Sequence, residues 1–389
     1  MESPVDDATF DALDEVLRDS GAAAAIAKLG AELSTRGAHR PLLDALLLQA
    51  RHELGLPPVA PASLLSIDEP LRSKYEERYV EAIRVVGGKL LAEGDIAGAW
   101  PYFRAISEKE PVAAAIEAYR PAPEGDERLG SIVEVAFNQG VNPIAGFRLI
   151  LEHYGACSSI TAFEGLPPEE SVRSTCADLL TRHLHANLLE NIRADIERRG
   201  QPMPPETASI ADHLAGRDWL FQDDAYHIDV SHLMSVVRYS PLLTDPETIA
   251  AAVGLTDYGR RLSDRHRYEG EPPFENVYED HAFYLRALLG RHVDEAVAHF
   301  RAKLEGLDER GRAEVAQVLV RLLHRVGRRA EALETAVEHL AGYPESMLSC
   351  PGVPSLAVEL GKPDRLADAA RASGDLVNYL AARIAAAAK

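Results

Sequence analysis

The sequence predicts an all-α fold: a right-handed stack of antiparallel helix pairs with an irregular central helical region. Few stretches alternate apolar and polar residues with the period of two that strands need, and Ala, Leu, Glu and Arg, which favour helices, dominate the chain. A glycine followed by small or aromatic residues also recurs at fixed offsets towards both ends of the chain. Recurrence at fixed offsets is typical of stacked helical repeats.

Length and composition limit the class of protein. At 389 residues the chain exceeds the size at which one hydrophobic core usually keeps growing, so we expect several sub-units or an elongated stack. The net charge of −20, from 61 acidic and 41 basic residues, disfavours binding to nucleic acid or to an anionic membrane. No run approaches the ~20 apolar residues of a transmembrane helix.

The chain also has features of a protein from a reducing compartment. Its three cysteines, Cys157, Cys176 and Cys350, are widely spaced and odd in number, which is unlike a disulfide scaffold. Residues 1–17 are rich in acidic side chains, whereas a secretory signal would begin with basic ones. We therefore predict a cytoplasmic protein with no nucleic-acid or membrane partner.

Proline- and glycine-rich breaks separate the helical segments, at residues 55–63, 120–130, 200–207 and 269–276. Together with the distribution of histidines, these breaks predict three regions: an N-terminal helical repeat region at 1–120, a central histidine-rich helical region at 121–277 and C-terminal repeats at 278–389. The first region begins with an acidic helix that carries Phe10, Leu13, Val16 and Leu17 on one face.

The recurring unit is a glycine, two residues five and nine positions after it, and a proline seventeen positions after it. It occurs as Gly94, Ala99, Phe103 and Pro111, and again as Gly327, Ala332, Ala336 and Pro344. Before the second copy, one apolar stripe predicts a helix that Gly327 ends in the left-handed conformation: Val315, Leu319, Leu322 and Val326. Gly361 follows Gly327 after 34 residues, with Leu366 and Ala370 at the same offsets.

These residues resemble the tetratricopeptide repeat, a helix-turn-helix unit, over residues 90–111 and from Tyr278 to the C-terminus. The resemblance implies a TPR-like α-solenoid, a curved stack of helix pairs whose concave face binds a peptide or a protein. The function that follows is that of a soluble helical-repeat interaction protein with a protein or peptide partner in a groove.

The central region suggests an alternative function. The stretch from Arg128 to His281, which covers most of this region, contains eight of the fourteen histidines: His153, His183, His185, His213, His227, His232, His266 and His281. Functional sites are often where local sequence rules break down, and the repeat pattern fades here. The alternative is a metal-dependent enzyme or metal-binding protein, with zinc or another divalent transition metal as its cofactor.

The candidate metal ligands are His153, Cys157, His185, His227 and His232. His153 and Cys157 are four residues apart, which on a helix directs both side chains to one side, and zinc accepts nitrogen and sulfur ligands together. The other interpretation is that the helix ends at Tyr154 or Gly155 and that Cys157 is a small buried side chain.

The next segment predicts a long helix with a core stripe of Leu180, Leu184, Leu188 and Ile192. His183, Asn187 and Glu190 share another face of this helix, which can hold a metal, position a general base, face solvent, or form hydrogen bonds in a helix interface.

Asp229 and His232 are the candidate catalytic pair, because a carboxylate beside an imidazole can set its tautomer and orient it as a general base. Asp229 or Ser231 is equally suited to cap the helix that runs through Val237, which explains both residues without catalysis.

Overall fold

The computed structural model describes residues 7–59, 67–122 and 125–387, and within these ranges the regular secondary structure is helical. The one strand-type pairing in the described ranges is an isolated bridge between Glu269 and Asn276. The predicted all-α class is therefore confirmed. None of the described helices combines the length and the apolar character that a membrane span needs.

By the contacts between its residues, the chain forms two compact units, Met1–Ile150 and Leu151–Lys389. The boundary between these units differs from the boundaries of the three regions predicted from the sequence, 1–120, 121–277 and 278–389. In both units the most extensive helix contacts join helices that follow one another along the chain.

The first unit is built from seven helices and the beginning of an eighth. They are α1 (Asp7–Ser20), α2 (Ala22–Thr35), α3 (His39–Glu53), α4 (Leu71–Ala92), α5 (Ile96–Ala105), α6 (Glu110–Ala118), α7 (Leu129–Val133) and α8 (Pro143–Glu164). The unit boundary falls within α8. A π-helical turn, Glu134–Asn138, follows α7 directly.

The repeat unit at Gly94 forms the contact between α4 and α5. Gly94 has a left-handed backbone (φ 79°), and Asp95 caps α5 by accepting a hydrogen bond from the amide of Gly98. Ala99 and Phe103 are buried in the core of this unit. A Cβ atom on Gly87 of α4 would lie 2.7 Å from the Phe103 ring, so glycine is required for the two helices to pack this closely.

The second unit contains the rest of α8 and eleven further helices within the described residues. They are α9 (Glu170–Arg198), α10 (Ile210–Leu214), α11 (Val230–Tyr239), α12 (Pro246–Gly259), α13 (Val277–Leu288), α14 (Val293–Ala302), α15 (Glu309–Arg325), α16 (Arg329–His339), α17 (Val353–Glu359), α18 (Pro363–Ser373) and α19 (Leu376–Ala387). Short 3₁₀ turns occur at Asp218–Asp224, Ser240–Leu242, Asp264–His266 and Glu345–Met347.

The C-terminal helices pack against one another through the glycines and small residues of the recurring unit. Gly327 is left-handed (φ 81°) immediately after α15, and Gly361 (φ 63°) occupies the equivalent place after α17. Leu319 and Leu322 of the predicted stripe on α15 share one hydrophobic core with Ala332 and Ala336 of α16, and all four are fully buried. Val315 of the stripe is also fully buried. Small side chains on α16 let α15 approach closely.

Helix α9 follows its predicted pattern. Leu180, Leu184, Leu188 and Ile192 are buried, as expected for the stripe that faces the core. A polar row beside this stripe forms one wall of the candidate site.

Candidate functional site

A groove of about 800 Å³ lies between α9 and the chain that leads into α11. Helix α9 contributes a polar row to it: Asn187, Glu190, Asn191, Asp195, Arg198 and Arg199. The other wall is the segment 225–229 with His232 of α11, and Ala156 of α8 also lines it. We call this the α9–α11 groove; all of its lining residues belong to the second unit.

The chain enters the groove wall through a strained turn. Asp223 and Asp224 both have positive φ angles, 56° and 58°, which non-glycine residues adopt at a cost of about 1–3 kcal/mol each. Two contacts with the segment after α12 hold this turn: Arg265 forms an ion pair with Asp224 (3.2 Å), and the Tyr226 ring packs edge-on against His266, 5.0 Å between centroids. Strain of this kind is typical of functional segments.

His227 anchors the segment at the middle of the groove. Its backbone amide donates to the Tyr258 hydroxyl (2.7 Å), and its carbonyl accepts from the Asn191 side chain (2.8 Å). The imidazole lies between two further groups, with Nδ1 3.1 Å from the Tyr258 hydroxyl and Nε2 3.5 Å from Asp195 Oδ2. One residue thus connects the segment to both α9 and α12.

The surroundings of His227 keep its ring neutral. Burial lowers the pKa of His227, and the Asp195 carboxylate only partly opposes this shift. A neutral ring with its proton on Nε2 fits both contacts, because Nδ1 then accepts from the Tyr258 hydroxyl while Nε2–H points to Asp195. Both ring nitrogens face protein groups, so a metal would have to displace one of these contacts.

Asp229 is the N-cap of α11, as the capping interpretation predicted. Its carboxylate accepts hydrogen bonds from the Ser231 amide (2.8 Å), the Ser231 hydroxyl and the His232 amide (3.3 Å). The bond from the Ser231 hydroxyl contributes most to lowering the pKa of Asp229. The carboxylate therefore contacts the backbone of His232, and the described residues give the His232 imidazole no hydrogen-bond or ion-pair partner. No hydrogen bond joins the Asp229 carboxylate to the His232 imidazole, although the two side chains interact electrostatically.

The first candidate ligand pair loses the helical spacing on which it depended. Helix α8 is broken at Gly155 (φ 79°, ψ −178°), in a conformation essentially restricted to glycine. His153 and Cys157 lie on opposite sides of this break, so a spacing of four residues no longer places them on one helical face. The alternative that the helix ends near Gly155 matches this geometry, but Cys157 is exposed rather than buried.

His185 lies on another side of α9 from the groove. The His185 ring packs close to Gly254 of α12, since a Cβ atom at that glycine would lie 3.7 Å from the ring. Burial lowers the pKa of His185. Three of the six candidate site residues, His227, Asp229 and His232, line the groove. The other three, His153, Cys157 and His185, do not. Within the described ranges no three His, Cys, Asp or Glu side chains are grouped as a metal site requires.

The sequence interpretation missed several charged and polar residues of the groove. Asn191, Asp195 and Arg199 continue, at intervals of four, the polar face on which Asn187 was recognised. This signal was present in the sequence, since residues four apart on a helix lie on one side. Tyr258 left no such signal, because it meets His227 only through the packing of α12.

Comparison with known proteins adds no relative: no protein-family model, no curated protein and no solved structure matches the chain. The functional assignment therefore rests on the groove itself.

Proposed function

We propose that this chain is a helical-repeat interaction protein, TPR-like in its C-terminal helices, that binds an extended peptide segment of a partner protein in the α9–α11 groove. The net charge of −20 and the predicted reducing compartment fit a cytoplasmic protein whose partner is not a nucleic acid.

The observation that carries this proposal is the set of polar groups that line the groove with unused hydrogen-bonding capacity. Among the described residues, the Glu190 carboxylate and the His232 imidazole have no hydrogen-bond or ion-pair partner. Asn187 and Asn191 use their amide nitrogens, to His183 and to the His227 carbonyl, and keep their amide oxygens free. An extended peptide repeats N–H and C=O groups along its length, and these need partners of both kinds.

The size of the groove and the rigidity of its walls also suit a peptide. About 800 Å³ is within the range of sites that enclose a small ligand or a few residues of a chain. One wall is a 29-residue helix with a buried core stripe, and the other is fixed to it by His227. Preformed walls reduce the entropy lost on binding.

The test is selection of binders from a displayed library of random dodecapeptides, followed by affinity measurement with the selected peptides by fluorescence anisotropy. Ala194 is exposed and lines the groove, so Ala194→Trp fills it from α9. Ala186 is exposed on the same helix outside the groove lining, and Ala186→Trp is the matched control.

We expect peptides that bind the wild type and the Ala186→Trp variant equally and bind the Ala194→Trp variant at least tenfold more weakly. Selection that enriches no peptide, or peptides that bind the Ala194→Trp variant with unchanged affinity, would contradict the proposal.

A further inference from the structure

The α9–α11 groove has opposite charges at its two ends. Glu190 lies near one end of the α9 row, after Asn187, and Arg198 and Arg199 lie at the other end. Arg198 is eight positions after Glu190 on the helix, which corresponds to about 12 Å along the helix axis. The groove therefore presents a dipole to whatever lies along it.

The basic end retains unpaired donors. Arg198 donates to Asp195 (2.8 Å), and Arg199 Nε is 3.7 Å from the other oxygen of the same carboxylate. Two guanidinium groups thus share one carboxylate, and the third group beside it, His227, is held neutral by burial. The side chains of Arg198 and Arg199 are 73% and 48% exposed, so most of their N–H donors remain accessible.

Arg199 is also held in position. Its guanidinium lies over the Trp219 ring, 4.4 Å from the centroid, as in a cation–π contact. A guanidinium that is already oriented loses less entropy when it binds a carboxylate. This end of the groove is suited to an anionic group of the ligand.

The acidic end has one uncommitted carboxylate. Glu190 is exposed and has no ion-pair partner among the described residues. Of the other carboxylates in the lining, Asp195 is shared by Arg198 and Arg199, and Asp229 caps α11. The described lining residues include no arginine or lysine besides Arg198 and Arg199. Arg193, three residues after Glu190, lies outside this lining, where it contacts the Pro204 carbonyl and the His213 ring.

We propose that the segment bound in this groove carries a basic side chain that pairs with Glu190 and a carboxylate that pairs with Arg198 and Arg199. An extended chain advances about 3.3 Å per residue, so the two charges are about three to four residues apart. The carboxylate is either an acidic side chain or the C-terminus of the partner. This inference rests on the proposed peptide-binding function and specifies its ligand.

The experiment uses peptide sublibraries in which two positions four residues apart are fixed and the others are random. Four sublibraries, acetylated and amidated at their ends, carry Lys then Glu, Glu then Lys, Lys twice, or Glu twice. A fifth carries Lys four residues before a free C-terminal carboxylate. Each is captured on immobilised wild-type protein and on the Glu190→Lys, Arg198→Glu/Arg199→Glu and Ala194→Trp variants.

We expect the wild type to recover one of the two mixed-charge sublibraries at least tenfold over the like-charge ones. Glu190→Lys should shift the preference to the sublibrary with two Glu, and Arg198→Glu/Arg199→Glu to the one with two Lys. All three substituted side chains are exposed, so folding should be retained. Stronger recovery of the fifth sublibrary than of the other mixed ones assigns the carboxylate to a chain terminus.

Different outcomes would contradict the charge pattern and the peptide-binding function. Equal recovery of all sublibraries by the wild type, with loss on the Ala194→Trp variant, would overturn the charge pattern and leave the peptide groove standing. Recovery that never exceeds that on the Ala194→Trp variant would overturn the peptide-binding function itself.

Discussion

Helices α15 and α16 meet through aliphatic and small side chains, whereas the segment 225–229 is joined to α9 and α12 mainly through hydrogen bonds. In the first region Leu319 and Ala336 are fully buried, and Gly327 sets the turn between the helices. In the second, the contacts of His227 with Asn191, Asp195 and Tyr258 hold a chain whose turn is strained. The second arrangement keeps polar groups accessible beside a rigid helix, which a binding groove requires and a packed helix pair excludes.

The largest expected effect comes from a substitution that disrupts the packing of α15 against α16. Ala336 is fully buried between α16 and its neighbours, so Ala336→Lys places a charge in the core. Because an uncompensated buried charge is costly, we expect the free energy of unfolding to fall by more than about 3 kcal/mol. Urea denaturation followed by circular dichroism measures this change. Ala330→Lys, at an exposed position of the same helix, is the control and should change stability by less than about 0.5 kcal/mol. Similar losses in both variants would show that close packing at Ala336 is not what holds the pair.

The second prediction concerns a titratable side chain that is buried in the second unit. His281 of α13 is buried, stacks on Phe274 (4.0 Å between centroids), and its pKa is lowered by burial from 6.5 to about 4. Below pH 6.5 the unfolded chain binds a proton that the folded chain does not, so stability is fully present above pH 6.5 and is lost as pH falls towards 4. We expect His281 to contribute about 2 kcal/mol to the loss of stability between pH 7 and pH 5.

The measurement compares urea denaturation at pH 5 and pH 7 for the wild type and for His281→Phe, which keeps an aromatic ring against Phe274. The variant should lose about 2 kcal/mol less over this interval. The other histidines remain in both proteins, so the difference isolates His281. Identical pH dependence in the two proteins would contradict the lowered pKa.

The third prediction tests the hydrogen bonds that hold the groove wall. Tyr258→Phe removes the hydroxyl that the His227 amide and ring contact, and leaves a part-buried donor without a partner. We expect a loss of about 1–2 kcal/mol in unfolding free energy and weaker binding of any peptide selected on the groove. Tyr278→Phe is the matched control, because the Tyr278 hydroxyl is buried without a hydrogen-bond partner among the described residues. Removing that group should be neutral or stabilising. Equal losses in the two variants would mean that the contact with His227 contributes nothing specific.

The contrast between the regions also explains what the sequence could predict. The all-α class, the left-handed Gly327 and the buried faces of α9 and α15 depend on spacings of three, four or five residues, which can be recognised in the sequence. The engagement of His227 depends on residues 31 and 32 positions away, Tyr258 and Asp195, and such contacts arise only from tertiary packing. Histidine density indicated the correct segment for a site, but the neighbours of each ring decide its role. The break at Gly155 is a similar case, because the backbone conformation of one residue removes the helical alignment of His153 and Cys157.

The last prediction compares two glycines that look alike in the sequence. Gly327 follows α15 with φ 81°, while Gly342, in the turn after α16, lies outside the left-handed region and has open space where a Cβ atom would be. An L-residue in the left-handed region costs about 1–2 kcal/mol, so Gly327→Ala should destabilise by that amount in urea denaturation. Gly342→Ala should be neutral or stabilising by up to about 1 kcal/mol, because it restricts only the unfolded chain. If the two substitutions had equal effects, the turn after α15 would not depend on glycine, and the period that links Gly327 to Gly361 would lose its structural cause.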